Sequence, residues 1–220
     1  VTGDEYGEAL AELRADVVST GNLVVERLRD ALKALEDRDE ALAHRVVEGD
    51  DAINERYLAV EKDCTDLIAL RQPVAGDLRF VVASFKIVTD LERVGDLAVN
   101  VADRAVSANK TRFSEVDVQE IGAFSASMVE DAVEAYEDDR VDACRGVSES
   151  DDVLDARCEG ANRRVVRGLM DGTSSDGTEL VRDASSILLN IRDLERVGDH
   201  AVNVAARTLY MVESDDELLR

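Results

Sequence analysis

One fifteen-residue segment occurs twice in this chain, as DLERVGDLAVNVADR at Asp90 to Arg104 and as DLERVGDHAVNVAAR at Asp193 to Arg207. Thirteen of the fifteen positions are identical. Elsewhere the two halves share a pattern but few residues, so the fold must offer two equivalent places to one segment. Neither copy holds a proline, and its apolar residues recur at three- and four-residue spacing, which predicts helix rather than strand.

On a helix, Glu92 and Asp96 are i and i+4 neighbours over one patch, as are Glu195 and Asp199. Running the wheel backwards from Glu92 places Val88, Phe85, Val81 and Leu78 on its line. From Glu195 it places Ile191, Leu188, Ala184 and Val181. In each copy a core-facing apolar stripe turns into a pair of carboxylates. Like charges at this spacing cost a few tenths of a kcal/mol even when exposed, and unpaired burial costs several more. Two readings fit. In one, Arg93 and Arg196 bridge Asp96 and Asp199, or Asp90 and Asp193 behind them. In the other, each pair holds a cation, with Asn100 and Asn203 one turn on as neutral oxygen donors. Oxygen ligands of this kind suit Mg, Ca, Mn, Fe or Zn. Each copy also carries a glycine inside the helix, Gly95 or Gly198, at a cost of roughly 1 kcal/mol against alanine. Something is expected to approach the backbone there.

DLERVGDxAVNVA, preceded by Gln72-Pro73-Val74-Ala75-Gly76-Asp77-Leu78-Arg79, resembles the signature of the PhoU family, regulators of phosphate uptake made of two tandem three-helix bundles. The resemblance covers essentially the whole chain. It implies a regulator of the phosphate ABC transporter, acting on its ATPase subunit, and in bacteria a link to the sensor kinase that reports phosphate supply. It also implies multinuclear iron or zinc clusters on paired motifs, here Glu92 to Asp96 and Glu195 to Asp199. Two carboxylates do not close a shell of six or so oxygens, so bridging ions, water or phosphate oxygens would complete it. The second half lacks the QPVAxDLR turn, so any role of that turn rests on the first half.

The rest of the chain is consistent with an all-α protein. One proline and 4% aromatic residues leave few breakers and few alternating runs. The first helix is expected from about Glu5 to Glu36, and the second from Glu40 to Leu70 with a kink at Glu48-Gly49-Asp50-Asp51. A turn at Arg71-Gln72-Pro73 should open the third helix, with the proline in its first turn. That helix runs through the motif to about Ala108. Ser107 to Ser114 reads as the junction between two pseudo-symmetric three-helix bundles, residues 1–108 and 114–213. Asp50-Asp51-Ala52-Ile53-Asn54 matches Asp151-Asp152-Val153-Leu154-Asp155 at an offset of 101, and the signature matches at 103. The loop Asp171 to Gly177 takes the two extra residues. The tail from Glu213 to Arg220 is expected to fray.

Net charge is −23, from 49 acidic and 26 basic residues. Such a surface repels nucleic acid and anionic membranes, and points to a salt-adapted, halophilic protein in which screening is nearly complete within about 3 Å at 1 M salt. No uncharged run reaches ten residues, so neither a membrane span nor a signal peptide is expected, and the cytoplasm is the expected location. Three cysteines without CxxC spacing, Cys64, Cys144 and Cys158, read as buried thiols. His200 follows Asp199, and a ligand role there is the lesser reading, since adjacent helix residues diverge by about 100°. His44 reads as a surface residue. Neither histidine has a glutamate three residues before it, which argues against a di-metal carboxylate oxidase, and no P-loop, dinucleotide fingerprint or GxSxG is present. The expected function is therefore non-enzymatic: a metal-binding regulator, or a metal-free helical scaffold acting on another transporter or channel. Leu91, Val94, Ala98, Val101 and Ala102 make the motif helix apolar nearly all round, which places it centrally and leaves room for a partner surface such as a homodimer.

Overall fold

The computed structural model of the chain describes residues 3–107, 113, 116–171 and 177–219. These residues form seven helices: α1 (Gly3–Asp37), α2 (Glu40–Glu48), α3 (Asp50–Arg71), α4 (Ala75–Ser107), α5 (Val118–Glu137), α6 (Val141–Asp171) and α7 (Gly177–Glu213). Among the described residues there is no strand. Helices α1 to α4 make one three-helix bundle, with its second helix split into α2 and α3, and α5 to α7 make the other. The expected junction lies outside the described residues except for Ser107 and Phe113, and Phe113 is buried against Gly168 of α6. The loop at Asp171 to Gly177 lies outside them except at its ends.

The duplication reappears in detail at the turns. Arg38 and Asp139, 101 residues apart, are both left-handed, with φ of 56° and 55°. In each turn the next amide reaches back past its helix end, Asp39 to the Ala34 carbonyl at 3.1 Å and Arg140 to the Ala135 carbonyl at 2.9 Å. Such bonds satisfy carbonyls that the helix end leaves open. Asp39 then caps α2 by accepting from the Leu42 amide at 2.9 Å.

The halves differ where α2 breaks. A Cβ on Gly49 would lie 1.6 Å from the Arg27 guanidinium, which donates to the Arg45 carbonyl at 3.0 Å. In the second half the position of Arg27 is taken by Met128 and that of Gly49 by Ser150, and α6 runs through unbroken. The expected kink is thus a break, made by an inserted cation. At the next turn Pro73 precedes the helix instead of opening it. Gln72 and Ala75 are both left-handed, with φ of 51° and 48°, so the chain reverses before α4 starts at Ala75.

Helices α4 and α7 cross at the centre, each packed by its own bundle and by the other. Leu91, Val94, Ala98, Val101 and Ala102 are essentially inaccessible. These side chains are taken up by α1, α2, α3 and α7 of the same chain, which surround α4. The apolar stripe leading to the carboxylates holds only in part. Val81, Val88, Ala184 and Ile191 are buried, whereas Leu78 and Val181, near the helix starts, are exposed.

Helices α1 and α5 meet through two glycines. A Cβ on Gly21 would fall 2.5 Å from Val133, and one on Gly122 would fall 2.2 Å from Leu32. Both pairs are related by the same offset of 101, so the contact is a pseudo-two-fold one. The two bundles therefore share one continuous hydrophobic core. The acidic tail does not run free after α7. Arg145 gathers Glu213, Asp215 and Glu217 at 3.4 to 3.9 Å, and Leu218 packs on the core.

Candidate functional site

The two motif glycines are filled by apolar side chains, not by an ion. A Cβ on Gly95 would lie 3.0 Å from Ile53, and one on Gly198 would lie 2.3 Å from Leu154. Ile53 is on α3 and Leu154 on α6, at matching positions. This close approach carries the first turn of α3, with Asp50, and the middle of α6, with Asp151 and Asp155, onto the motif carboxylates, and two clusters result. The first contains Glu92, Asp96 and Asp50. The second contains Glu195, Asp199, Asp151 and Asp155.

In the first cluster the charges are partly compensated. Arg93 lies 3.5 Å from both Glu92 and Asp96, as the salt-bridge reading required. Asp50 accepts from the Asn54 amide at 3.2 Å. Burial still raises the Glu92 carboxyl above its ordinary range, with repulsion from Asp96 and Asp50 adding to it and Arg93 and His200 opposing. Asp50 is raised by burial and by Asp96, with Asn54 and Arg27 pulling it down.

Among the described residues, no guanidinium lies at ion-pair distance from the second cluster. Arg196 turns to Asp193 at 4.0 Å, and Arg192 reaches the same carboxylate at 3.1 Å. Asp193 is 1% exposed and also takes Arg104 from α4, whose Nε donates to Asn190 at 2.6 Å. Where the first cluster has Asn54, the second has Asp155. Burial, with repulsion from Asp155, Asp199, Asp152 and Glu195, pushes the Asp151 carboxyl up to about 6. Glu195 is raised by burial, Asp155 and Asp199. Asp199 is raised by burial and Asp155, with His200 and Arg196 opposing. The Asp151 Oδ1 is enclosed and has no hydrogen-bond partner. Behind the cluster lies buried Cys158, its thiol pushed up to about 12 by burial and by these carboxylates.

The remaining expected residues fall elsewhere. Asn203 donates to Asp90 at 3.2 Å and His200 Nδ1 lies 2.9 Å from the same oxygen, so both tie α7 to α4 instead of facing Asp199. With Asp90 as the acceptor, Nδ1 is the donating ring nitrogen. Asn100 is exposed. Asp50, Asp151 and Asp155 were missed as site residues, although the match of Asp50-to-Asn54 with Asp151-to-Asp155 is legible and its second copy carries the same i, i+4 acidic spacing as the motif.

Chemically, each cluster offers hard oxygen donors, and the second combines four carboxylates with an enclosed unpartnered oxygen, a donor set that suits a cation of charge two or three. Among the described residues, no three His, Cys, Asp or Glu side chains are close enough to close around one ion. The clusters are open arrangements facing the surface. No catalytic nucleophile and base are paired in them.

The family model described as the PhoU domain matches twice, over residues 17–105 and 118–208. A phosphate-specific transport system accessory protein PhoU homolog from Pseudomonas aeruginosa is 34% identical over 215 residues, covering 96% of this chain and 87% of the relative. The phosphate-specific transport system accessory protein PhoU of Escherichia coli is 29% identical over 218 residues, covering 96% and 87%. The crystal structure of PhoU from Pseudomonas aeruginosa superposes with a TM-score of 0.87 at 32% identity, over 96% of this chain and all of that one. A phosphate transport system regulatory protein PhoU from Streptococcus pneumoniae gives the same score at 28% identity, over 96% and 98%. With the duplicated three-helix architecture and the repeated motif, these matches place the chain in the PhoU family, in which relatives are named as accessory or regulatory proteins of phosphate transport.

Proposed function

We propose that this chain is a cytoplasmic regulator of phosphate uptake that acts on the ATPase subunit of a phosphate ABC transporter, and that it binds metal ions at the two carboxylate clusters. Glu92, Asp96 and Asp50 would hold the first site, and Glu195, Asp199, Asp151 and Asp155 the second. Multinuclear Fe or Zn is the composition the resemblance implies. The observation that supports it is the convergence of α3 and α6 on the repeated motif, which stacks acidic groups against one another where a helix protein would otherwise place neutral ones. Burial and mutual repulsion raise Asp50, Glu92, Asp151, Glu195 and Asp199 above the ordinary carboxylate range. A bound ion would supply the missing positive charge. No helix among the described residues is long and apolar enough to cross a membrane, consistent with a protein that docks on a transporter.

The Arg93 bridge and the open shells favour a second reading, a metal-free scaffold acting on this or another transporter or channel. Elemental analysis of protein purified without chelator separates the two. Metal at background, even after reconstitution with Fe, Zn, Mn or Mg, would leave the scaffold. The transport role is tested with a reconstituted phosphate transporter: the added chain should bind its ATPase subunit and change the rate of ATP hydrolysis. The surface charge is further proposed as salt adaptation, to be read from melting temperature against KCl concentration.

A further inference from the structure

The outward face of α6 runs against the charge of the rest of the molecule. Between Val153 and Met170 it carries Arg157, Arg163, Arg164 and Arg167 against Asp155 and Glu159. The aligned stretch of α3, Ala52 to Ala69, has two basic residues against four acidic ones. Arg157 is held by Glu120 at 3.2 Å and stacks on Phe124, and Arg163 meets Glu159 across one exposed turn. Among the described residues, Arg164 and Arg167 have no carboxylate at ion-pair distance. Apolar side chains are interleaved with them: Met170 is 82% exposed, Val166 49% and Val153 46%. A groove of about 370 Å³ runs beside Arg157 and Arg164 between α5 and α6, with Gly160 and Ala156 in its wall; its two carboxylates are already engaged, Glu120 by Arg157 and Asp117 as the cap of α5. Nothing lies within 4 Å of where a Gly160 Cβ would sit.

We infer that this face is a docking site for an acidic amphipathic helix of a partner protein. The occupant is set by charge complementarity. Carboxylates one turn apart would pair with Arg163, Arg164 and Arg167, and aliphatic side chains would cover Val166, Met170 and the groove. Arginine suits such pairing because its planar fork binds a carboxylate through two hydrogen bonds, a contact that survives salt better than long-range attraction does. A flat anionic membrane is the poorer fit. It would bring its charges within a Debye length of about 8 Å from the surrounding acidic surface, whereas one helix covers only the strip of about 26 Å from Val153 to Met170. None of the side chains that would bind the helix, Arg163, Arg164, Arg167, Val166 and Met170, belongs to the carboxylate clusters, so failure here leaves the metal reading untouched.

The test uses the full chain and a fluorescein-labelled synthetic helix of Glu, Leu and Ala, with glutamates at one-turn spacing, read by anisotropy in 0.15 M KCl, a salt level at which screening is incomplete (~8 Å). The expected result is saturable binding, at least about tenfold weaker for the lysine-for-glutamate peptide and for the R163Q/R164Q/R167Q variant. V166S/M170S should weaken it by several fold, and the α3 control R56Q/K62Q should bind as wild type. These side chains are exposed, and an unchanged helical circular dichroism spectrum checks that each variant folds. Equal binding by the triple arginine variant overturns the proposal. So does arginine-dependent binding to phosphatidylglycerol vesicles without peptide binding, or no saturable peptide binding up to about 1 mM.

Discussion

The two carboxylate clusters are built from nearly the same fifteen residues, yet the first is better compensated than the second. In the first, Arg93 sits between Glu92 and Asp96, and Asn54 feeds Asp50 a hydrogen bond. In the second, the equivalent Arg196 is drawn away to Asp193, and Asp155 replaces the amide. The cause lies outside the motif. Asp193 is buried by Arg104 of the opposite bundle, and a buried carboxylate recruits whatever cations reach it. Asp90, its counterpart, is satisfied by His200 and Asn203 and leaves Arg93 free. A conserved local pattern within one chain thus acquires two electrostatic states through what the pseudo-symmetric partner helix supplies.

The largest expected effect is on metal content. Glu195→Ala with Asp199→Ala should empty the second cluster, whereas Glu92→Ala with Asp96→Ala should leave it loaded. In wild type the second cluster should bind at least about tenfold more tightly, since it has more charge and less competition. Titration calorimetry with Mn on the two double variants measures both arms. Equal affinities would show that the difference in compensation does not matter.

Next comes Asp193→Ala. It strands Arg104, which is mostly buried, and should cost on the order of 3 kcal/mol in thermal or denaturant unfolding. It also releases Arg196 towards Asp199, so metal affinity at the second cluster should fall. An affinity unchanged beside a lowered stability would mean that Arg196 does not respond to Asp193.

The glycines sharpen the packing side of the comparison. Alanine at Gly198 meets Leu154 at 2.3 Å and Asp151 at 3.3 Å, while alanine at Gly95 meets Ile53 at 3.0 Å. Overpacking costs about 1–3 kcal/mol, against a gain of roughly 1 kcal/mol in helix propensity. Gly198→Ala should therefore destabilise by about 1–2 kcal/mol, and Gly95→Ala should be near neutral. Equal melting temperatures for the two variants would contradict the tighter approach at Gly198.

The smallest effect is the pH dependence of the metal-free protein. Asp151 has a folded value of about 6 against 3.8 as the ordinary value. Its carboxyl binds a proton more tightly folded than unfolded, so its contribution is fully present below pH 3.8 and lost as pH rises through 6. Asp151 is only partly buried, so screening holds the change to about 1 kcal/mol. Metal should reverse the trend, because cation and proton compete for the same oxygens. Unfolding followed from pH 4 to 7, with and without Mn, reads it. A metal-free stability that rises over this window would show that the second cluster is not self-repelling.

Helix content, the duplication, an irregularity at Gly49 and the central place of α4 and α7 were legible in the sequence, because periodicity and breakers act over a few residues; that the irregularity is a full break was not, since Arg27 makes it. The motif pairs Glu92 with Asp96 and Glu195 with Asp199 were legible for the same reason. The meaning of Gly95 and Gly198 was not. A helix-interior glycine announces a close approach but not what approaches, and Ile53 and Leu154 lie more than 40 residues away in the chain. The expectation that the tail frays failed similarly, since the arginine that holds it, Arg145, is 68 residues upstream of Glu213.

The sequence by itself determined that two copies of one acidic helix would be placed at the centre of an all-helical, twofold-repeated protein, since 3.6-residue periodicity and a repeated segment leave little else. Only the tertiary structure decided which charges meet. Side chains of Asp50, Asp151 and Asp155 join the motif because α3 and α6 pack into its glycines, and Arg196 leaves it because Arg104 buries Asp193. Coulomb energies fall with distance and rise with burial, and both quantities are properties of the packed chain rather than of its order.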